Sequence, residues 1–125
     1  GDSSYLSPGL GSVEVPVMQV VGGLDGNSPA DGVGDGIWEA LEGSQHARVH
    51  IVTAGHQSFT VMCEWFPGVF DDCSEEFMES EEVHRITNTY ALAFARHHTL
   101  DDGGVVGILD GTVEVSPEVT LLRKP

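Results

Sequence analysis

The sequence predicts an α/β chain in which parallel strands alternate with helices, and three observations carry that expectation. Val13 to Val21 (VEVPVMQVV) is an apolar, β-branched run with almost no polar alternation after Pro16, the pattern of a strand covered on both faces. A second β-branched segment, Ala47 to Thr53 (ARVHIVT), follows a weakly helical stretch. Val83, Ile86, Tyr90, Phe94 and His97 then keep one stripe at helical spacing, the mark of an amphipathic helix.

Taken in order, residues 1–12 read as an N-terminal loop of Ser, Gly and Pro. The first strand ends at Gly22-Gly23, and a loop follows through Asp25, Asn27 and Pro29. Ala30 to Glu42 forms a weak helix: Ile37, Trp38 and Leu41 make an apolar patch, but Gly32, Gly34 and Gly36 loosen its first turns. The second strand places Val49, Ile51 and Thr53 on one face and stops before Gly55. Ser58 to Trp65 is a short helix, and Phe66 to Glu79 a turn-rich acidic connection. The strongest helix runs from Ser80 to His97, with Ser80 as cap and Glu81 and Glu82 where the helix dipole favours acids. In the C-terminal extension, residues 103–125, Val113 to Val115 and Val119 to Leu122 read as short edge strands. Strand, helix, strand, helix implies a parallel pair joined by a crossover. Two strands alone do not make a stable parallel sheet, so residues 13–102 read as one end of a larger doubly wound sheet.

A chain of 125 residues suits one domain. Its net charge of −15 arises from 20 acids against five bases, four of them Arg and the fifth Lys124. Such a surface repels phosphate backbones and anionic lipid heads, which argues against a nucleic-acid partner. No stretch approaches the ~18 apolar residues of a membrane span. Residues 1–11 have neither a basic region nor an apolar run and do not read as a signal peptide.

The acids cluster. Glu64, Asp71, Asp72, Glu75, Glu76, Glu79, Glu81 and Glu82 follow one another with no intervening Lys or Arg. A solvated face, a divalent-cation site and adaptation to high salt all fit that run, although the D-x-D-x-D-G spacing of a calcium loop is missing. Cys63 and Cys73 flank a Pro67-Gly68 turn that can bring their sulfurs together. They form either a disulfide worth ~2–3 kcal/mol or a pair of half-buried thiols. The disulfide would point to an oxidising compartment, secreted or periplasmic. Neither cysteine belongs to a C-x-x-C pair, so no metal site is expected of them. His97 and His98 are adjacent on a helix and do not face one another.

In open parallel sheets, chemistry sits beyond the carboxyl ends of the strands. Asp25 follows the first strand and His56 the second, 31 residues apart. A carboxylate and an imidazole on neighbouring strand ends can form a dyad: the acid fixes the ring's tautomer and stabilises the imidazolium, leaving the other nitrogen to take a proton. Two bland alternatives stand beside this one. Asp25 can be a plain turn residue in its Gly-Asn-Ser-Pro setting, and His56 a loop residue at a helix start. Asp31 and Asp35 are fallback acids. His46 and His50 flank the second strand, and His84 lies on the helix face.

The segment VPVMQVVGGLDGNSP (Val15 to Pro29) resembles the seventh strand and acid loop of the serine α/β-hydrolases. VHIVTAGHQSFTVMCEW (Val49 to Trp65) resembles their eighth strand, catalytic-histidine loop and following helix. ITNTYALAFARHHTLDD is similar to their closing helix. The nearest branch holds dienelactone-hydrolase-like, platelet-activating-factor-acetylhydrolase-like and cutinase-like polyester hydrolases. There, an Asp with Pro four residues on and an A-G-H turn recur, here Asp25, Pro29 and Ala54-Gly55-His56. The resemblance covers Val13 to Asp102 and keeps the Asp-then-His order of that fold. It implies the C-terminal portion of an α/β-hydrolase sheet, its last two parallel strands with flanking helices. It further implies a carboxylic-ester hydrolase without cofactor or metal, acting on a small ester or polyester, with Asp25 and His56 as two members of a triad. Phe59, Trp65 and Trp38 either line an acyl pocket or pack in the core or a lid. The departure is the missing G-x-S-x-G nucleophile elbow; Gly1-Asp2-Ser3-Ser4 and Gly43-Ser44 do not supply it. The expected partner is therefore an N-terminal half of the same hydrolase, carrying the Ser nucleophile and oxyanion hole. An unrelated alternative is a non-catalytic acidic binding module for calcium or a basic partner.

Overall fold

A computed structural model describes residues 7–125. Of the expected N-terminal loop, residues 1–6 lie outside the described residues, and Ser7–Leu10 form a single helical turn, α1. Strand β1 is shorter than its apolar run and spans Met18–Gly22. The cause is local. Pro16 has no N–H to give a ladder, the Val17 amide donates instead to His46 Nδ1 (3.1 Å), and Val15 is exposed.

Strand β2 (His46–Ile51) pairs with β1 in parallel, Met18 beside Ala47 through Gly22 beside Ile51. The sheet is mixed, however, and not the purely parallel pair read from the sequence. The C-terminal segment Val119–Lys124 forms β3, antiparallel to β2 along its other edge, giving the order β1-β2-β3. The second expected edge strand, Val113 to Val115, does not form; its chain is bent and irregular. Thus β2 is central, and β1 has no strand on its outer edge among the described residues. The architecture is a small α/β arrangement of three strands and helices.

Residues in register point the same way, so the sheet has two unlike faces. On one lie Met18, Val20, Ala47, Val49, Ile51, Val119 and Leu121. Against them packs helix α4 (Ser80–Leu100) through Val83, Ile86 and Tyr90, which with Val49, Ile51 and Ala54 make the buried core. Burying each of these Val and Ile side chains is worth ~1.5–3 kcal/mol. The fourth fully buried position of α4 is Ala93, and Phe94 is only half-buried. Ser80 does not cap this helix. Glu79 takes that position without a side-chain hydrogen bond, and the Ser80 hydroxyl is buried with no protein partner. At the far end, Asp101 adopts the left-handed conformation (φ 53°) that closes a helix.

The other face carries Gln19, Val21, His46, Arg48 and His50, is largely polar and is covered over β1 and β2, while Thr120 and Leu122 of β3 stay exposed. The expected helix from Ala30 to Glu42 starts as a widened π-type turn, Ala30–Gly34, and becomes α-helical only over Asp35–Ala40, α2. This segment is fastened to the sheet by polar contacts. The buried Arg48 donates to Asp35 Oδ1 (2.5 Å) and Ala30 O (3.2 Å), and Gln19 Nε2 to Gly34 O (2.9 Å). Lys124 donates to Trp38 O (2.5 Å) and to Leu41 O, and lies 4.8 Å over the Trp38 ring. His46 accepts from Val17 at Nδ1 and donates to Glu42 O from Nε2 (2.9 Å), which fixes its tautomer and marks it as structural.

After β2, the expected single helix from Ser58 to Trp65 is two turns instead: a 3-10 turn at Gln57–Phe59, then α3, Met62–Trp65. Cys63 and Cys73 are joined in a disulfide, with a Cα–Cα separation of 5.3 Å. A further short helix, α5 (Val106–Leu109), leads back towards β3. Among the described residues, no helix is long and apolar enough to cross a membrane.

Candidate functional site

Beyond the last rungs of β1 and β2, the two chains stay in contact as they turn away from the sheet. The Gly23 amide donates to Ile51 O (2.9 Å) and the Leu24 amide to Ala54 O (3.0 Å). This approach needs a residue without a Cβ: one added at Gly23 would fall 2.2 Å from Val52 O. The loop bearing Asp25 is thereby clamped onto the loop bearing His56.

Asp25 then divides its carboxylate between two tasks. Oδ1 accepts the amides of Asn27 and Ser28, both at 2.8 Å, which closes a turn of the Asx kind. Oδ2 faces His56 Nδ1 at 3.0 Å, with Oδ1 at 3.2 Å from the same nitrogen. The turn role and the dyad role are therefore both filled by one side chain. Its neighbours set its charge. Burial pushes the carboxyl up, but the Ser28 amide, the His56 ring and the Asn27 amide together outweigh burial and hold it below the usual carboxylate range. An ionised carboxylate can only accept, so the shared proton belongs to His56 Nδ1. The other ring nitrogen, Nε2, is left with its lone pair free for a proton. The Asp25 side chain is 9 % exposed and that of His56 40 %, so the acid is shielded and the base is reachable.

Three residues hold His56 in place, and two of them, Ser58 and Asp72, were not expected in this role. The fully buried Ser58 accepts the Gly55 amide on its hydroxyl (3.0 Å). Asp72 Oδ2 accepts the Gln57 amide (2.8 Å), satisfying a donor at the start of the 3-10 turn. Gly55 lets the histidine loop lie against Asp72, whose Cγ would be 2.7 Å from a Cβ there. The disulfide fixes Cys73, the next residue, so the acidic connection latches the histidine loop. The only sequence signal for this was the position of Asp72 beside a cysteine. Beneath the acid loop, the His50 Nε2 would be 2.9 Å from a Gly23 Cβ. Burial first, and the charge of Arg48 second, hold the His50 imidazole below its ordinary value.

The remaining candidates divide. Phe59 packs beside the core and reaches Gly22, in the last rung of β1. Trp65 is 66 % exposed, in a disulfide-closed segment that also exposes Phe66 and Val69. Trp38 lies at the opposite end of the sheet, under Lys124. Asp35 is engaged with Arg48, and Asp31 meets no histidine in a hydrogen bond among the described residues. A groove of ≈ 710 Å³ beside the disulfide is lined by Glu64, Asp72, Glu75, Glu79 and Glu81, and the dyad lies outside it. No group of three or more metal-ligating side chains converges among the described residues. Compared with known proteins, the chain matches no family model, no curated protein and no solved structure.

Proposed function

We propose that the chain is the acid- and histidine-bearing C-terminal part of a serine α/β-hydrolase acting on carboxylic esters. Its partner is an N-terminal half of the same hydrolase that brings the Ser nucleophile and the oxyanion hole. The observation that carries this reading is the contact between Asp25 and His56, each just past the end of one of two adjacent parallel strands. The outer edge of β1, which carries no strand among the described residues, supports it, since a larger parallel sheet would continue there.

The chemistry follows from the charge arrangement. Nε2 of His56 takes the proton of the serine hydroxyl as its oxygen attacks the ester carbonyl, forming a tetrahedral oxyanion. Asp25, ionised and shielded, stabilises the resulting imidazolium and holds the ring in position. The same nitrogen returns the proton to the leaving alcohol, whose C–O bond breaks to leave an acyl-serine. Water, giving a proton to Nε2, then attacks the acyl carbon; the bond to the serine oxygen breaks, that oxygen takes the proton back from Nε2, and the carboxylic acid leaves. Phe59, three residues past His56, and the exposed Trp65 suit the apolar part of a small ester or a polyester. The disulfide suits an oxidising compartment, secreted or periplasmic.

The test is hydrolysis of a p-nitrophenyl ester by the complete two-part protein. Asp25→Asn should lower kcat by about 10⁴-fold, because the ring is then held in the wrong tautomer. His56→Ala should lower it by a similar order, and both variants should fold normally. Unchanged turnover in both would reject the assignment.

A further inference from the structure

The chain has 20 acids, yet among the described residues no Asp or Glu lines a cavity of ≈ 150 Å³ between the last turns of α4, α5 and the end of β3. Instead, His46, His97, His98, Arg123 and Lys124 surround it, five of its eleven lining residues. Most of the remaining wall is apolar, with Phe94, Val106 and Leu109 prominent.

Two of these cationic or basic groups are already committed. Both His46 ring nitrogens are bonded, and the Lys124 ammonium is turned onto Trp38 O and Leu41 O. The other three are not. Arg123 makes no ion pair among the described residues. His97 lines the cavity, and its Nδ1 is itself buried without a hydrogen-bond partner among the described residues. His98 stacks edge-on between Phe94 and His97, with ring centroids 4.4 and 4.7 Å away, and stiffens the wall. The nearest competing acid, Asp110, feels the Arg123 charge, but it accepts from the Thr112 amide (2.9 Å) and hydroxyl (2.7 Å) and is not part of the lining.

We infer that this pocket binds a small carboxylate anion with a compact apolar tail. Arg123 supplies the charge, and Phe94, Val106 and Leu109 the apolar seat. A cavity of about this size accommodates a benzene-sized group. Inorganic phosphate has the charge but no tail to fill the apolar wall. The pocket adjoins the start of β2, whereas His56 follows its end. The site is therefore separate from the dyad, and its binding does not depend on the hydrolase reading.

The experiment is an NMR titration of the isotopically labelled chain with sodium benzoate against a matched sodium chloride reference. It follows the His97 and His98 ring signals and the Val106 and Leu109 methyls. Saturable shifts of these four residues at millimolar benzoate are expected, with no saturation by neutral benzamide or by inorganic phosphate. Arg123→Gln, an exposed position, should weaken benzoate binding about tenfold, a loss equivalent to ~1.4 kcal/mol, with an otherwise native spectrum. Equal binding of benzamide would overturn the role of charge, and equal binding of phosphate that of the apolar seat. Absence of saturation, or shifts centred on His56, would overturn the site itself.

Discussion

Replacing Gly23 by Ala tests how the acid and histidine loops are brought together. The new Cβ would lie 2.2 Å from Val52 O and 2.9 Å from His50 Nε2. The first contact is with backbone and cannot be relieved by turning a side chain. Forcing a methyl into such a space costs ~1–3 kcal/mol, against a gain of only ~0.4–1 kcal/mol from a stiffer unfolded chain. The net effect should be destabilising by ~1–2 kcal/mol. Gly26, one residue past Asp25, provides the internal comparison. A Cβ there meets nothing within 4 Å, so Gly26→Ala should keep or slightly raise stability. Urea denaturation of the three proteins reads the difference directly. Where the dyad is assayed, Gly23→Ala should also lower activity, since the shift moves the backbone two residues from Asp25. A Gly23→Ala protein as stable as Gly26→Ala would refute the close approach.

Two further outcomes follow from the same coordinates. The Asp25 carboxyl is held below its ordinary value in the folded state, so its contribution to stability is present above the unfolded value of about 3.9 and fades as pH falls through the lower folded value. Acid unfolding curves of wild type and Asp25→Asn should accordingly differ most near neutrality and converge in strong acid; a constant gap would contradict this. Removing the disulfide as a Cys63→Ser, Cys73→Ser pair should cost ~2–3 kcal/mol by the chain-entropy account. It should also raise amide exchange at Gln57, the donor held by Asp72. Unchanged exchange there would separate the disulfide from the histidine loop.

The parts of this fold that were legible in the sequence are those fixed by local pattern. The stripe of α4, the parallel pair of strands, and the placing of Asp25 and His56 just past their ends all depend on periodicity and glycine punctuation. What escaped depends on partners far along the chain. Val119 to Leu122 looks like any short edge strand; that it runs on to Lys124 and lies antiparallel to β2 is decided by its return from α5. The apolar face of β2 was read from Val49 and Ile51; the polar face that alternates with it, His46, Arg48 and His50, was not. Its covering by Ala30–Ala40 rests on Arg48 meeting Asp35 and Lys124 meeting Trp38 and Leu41, contacts no local pattern announces. Ser80 reads as a cap because Ser favours that position, but the helix begins on it and Glu79 stands before it. Asp72 was counted only as part of an acidic run, although its oxygen holds the turn that carries His56.

The proposed role of His56, beside an ionised and shielded carboxylate, is to accept a proton from a serine that an N-terminal half would supply. The most direct measurement is the rate at which a fluorophosphonate probe labels the complete protein. Rapid labelling of one serine is expected in the wild type, with labelling lost in His56→Ala and strongly slowed in Asp25→Asn. A wild-type protein that takes up no probe, or equal labelling rates in all three, would contradict the account.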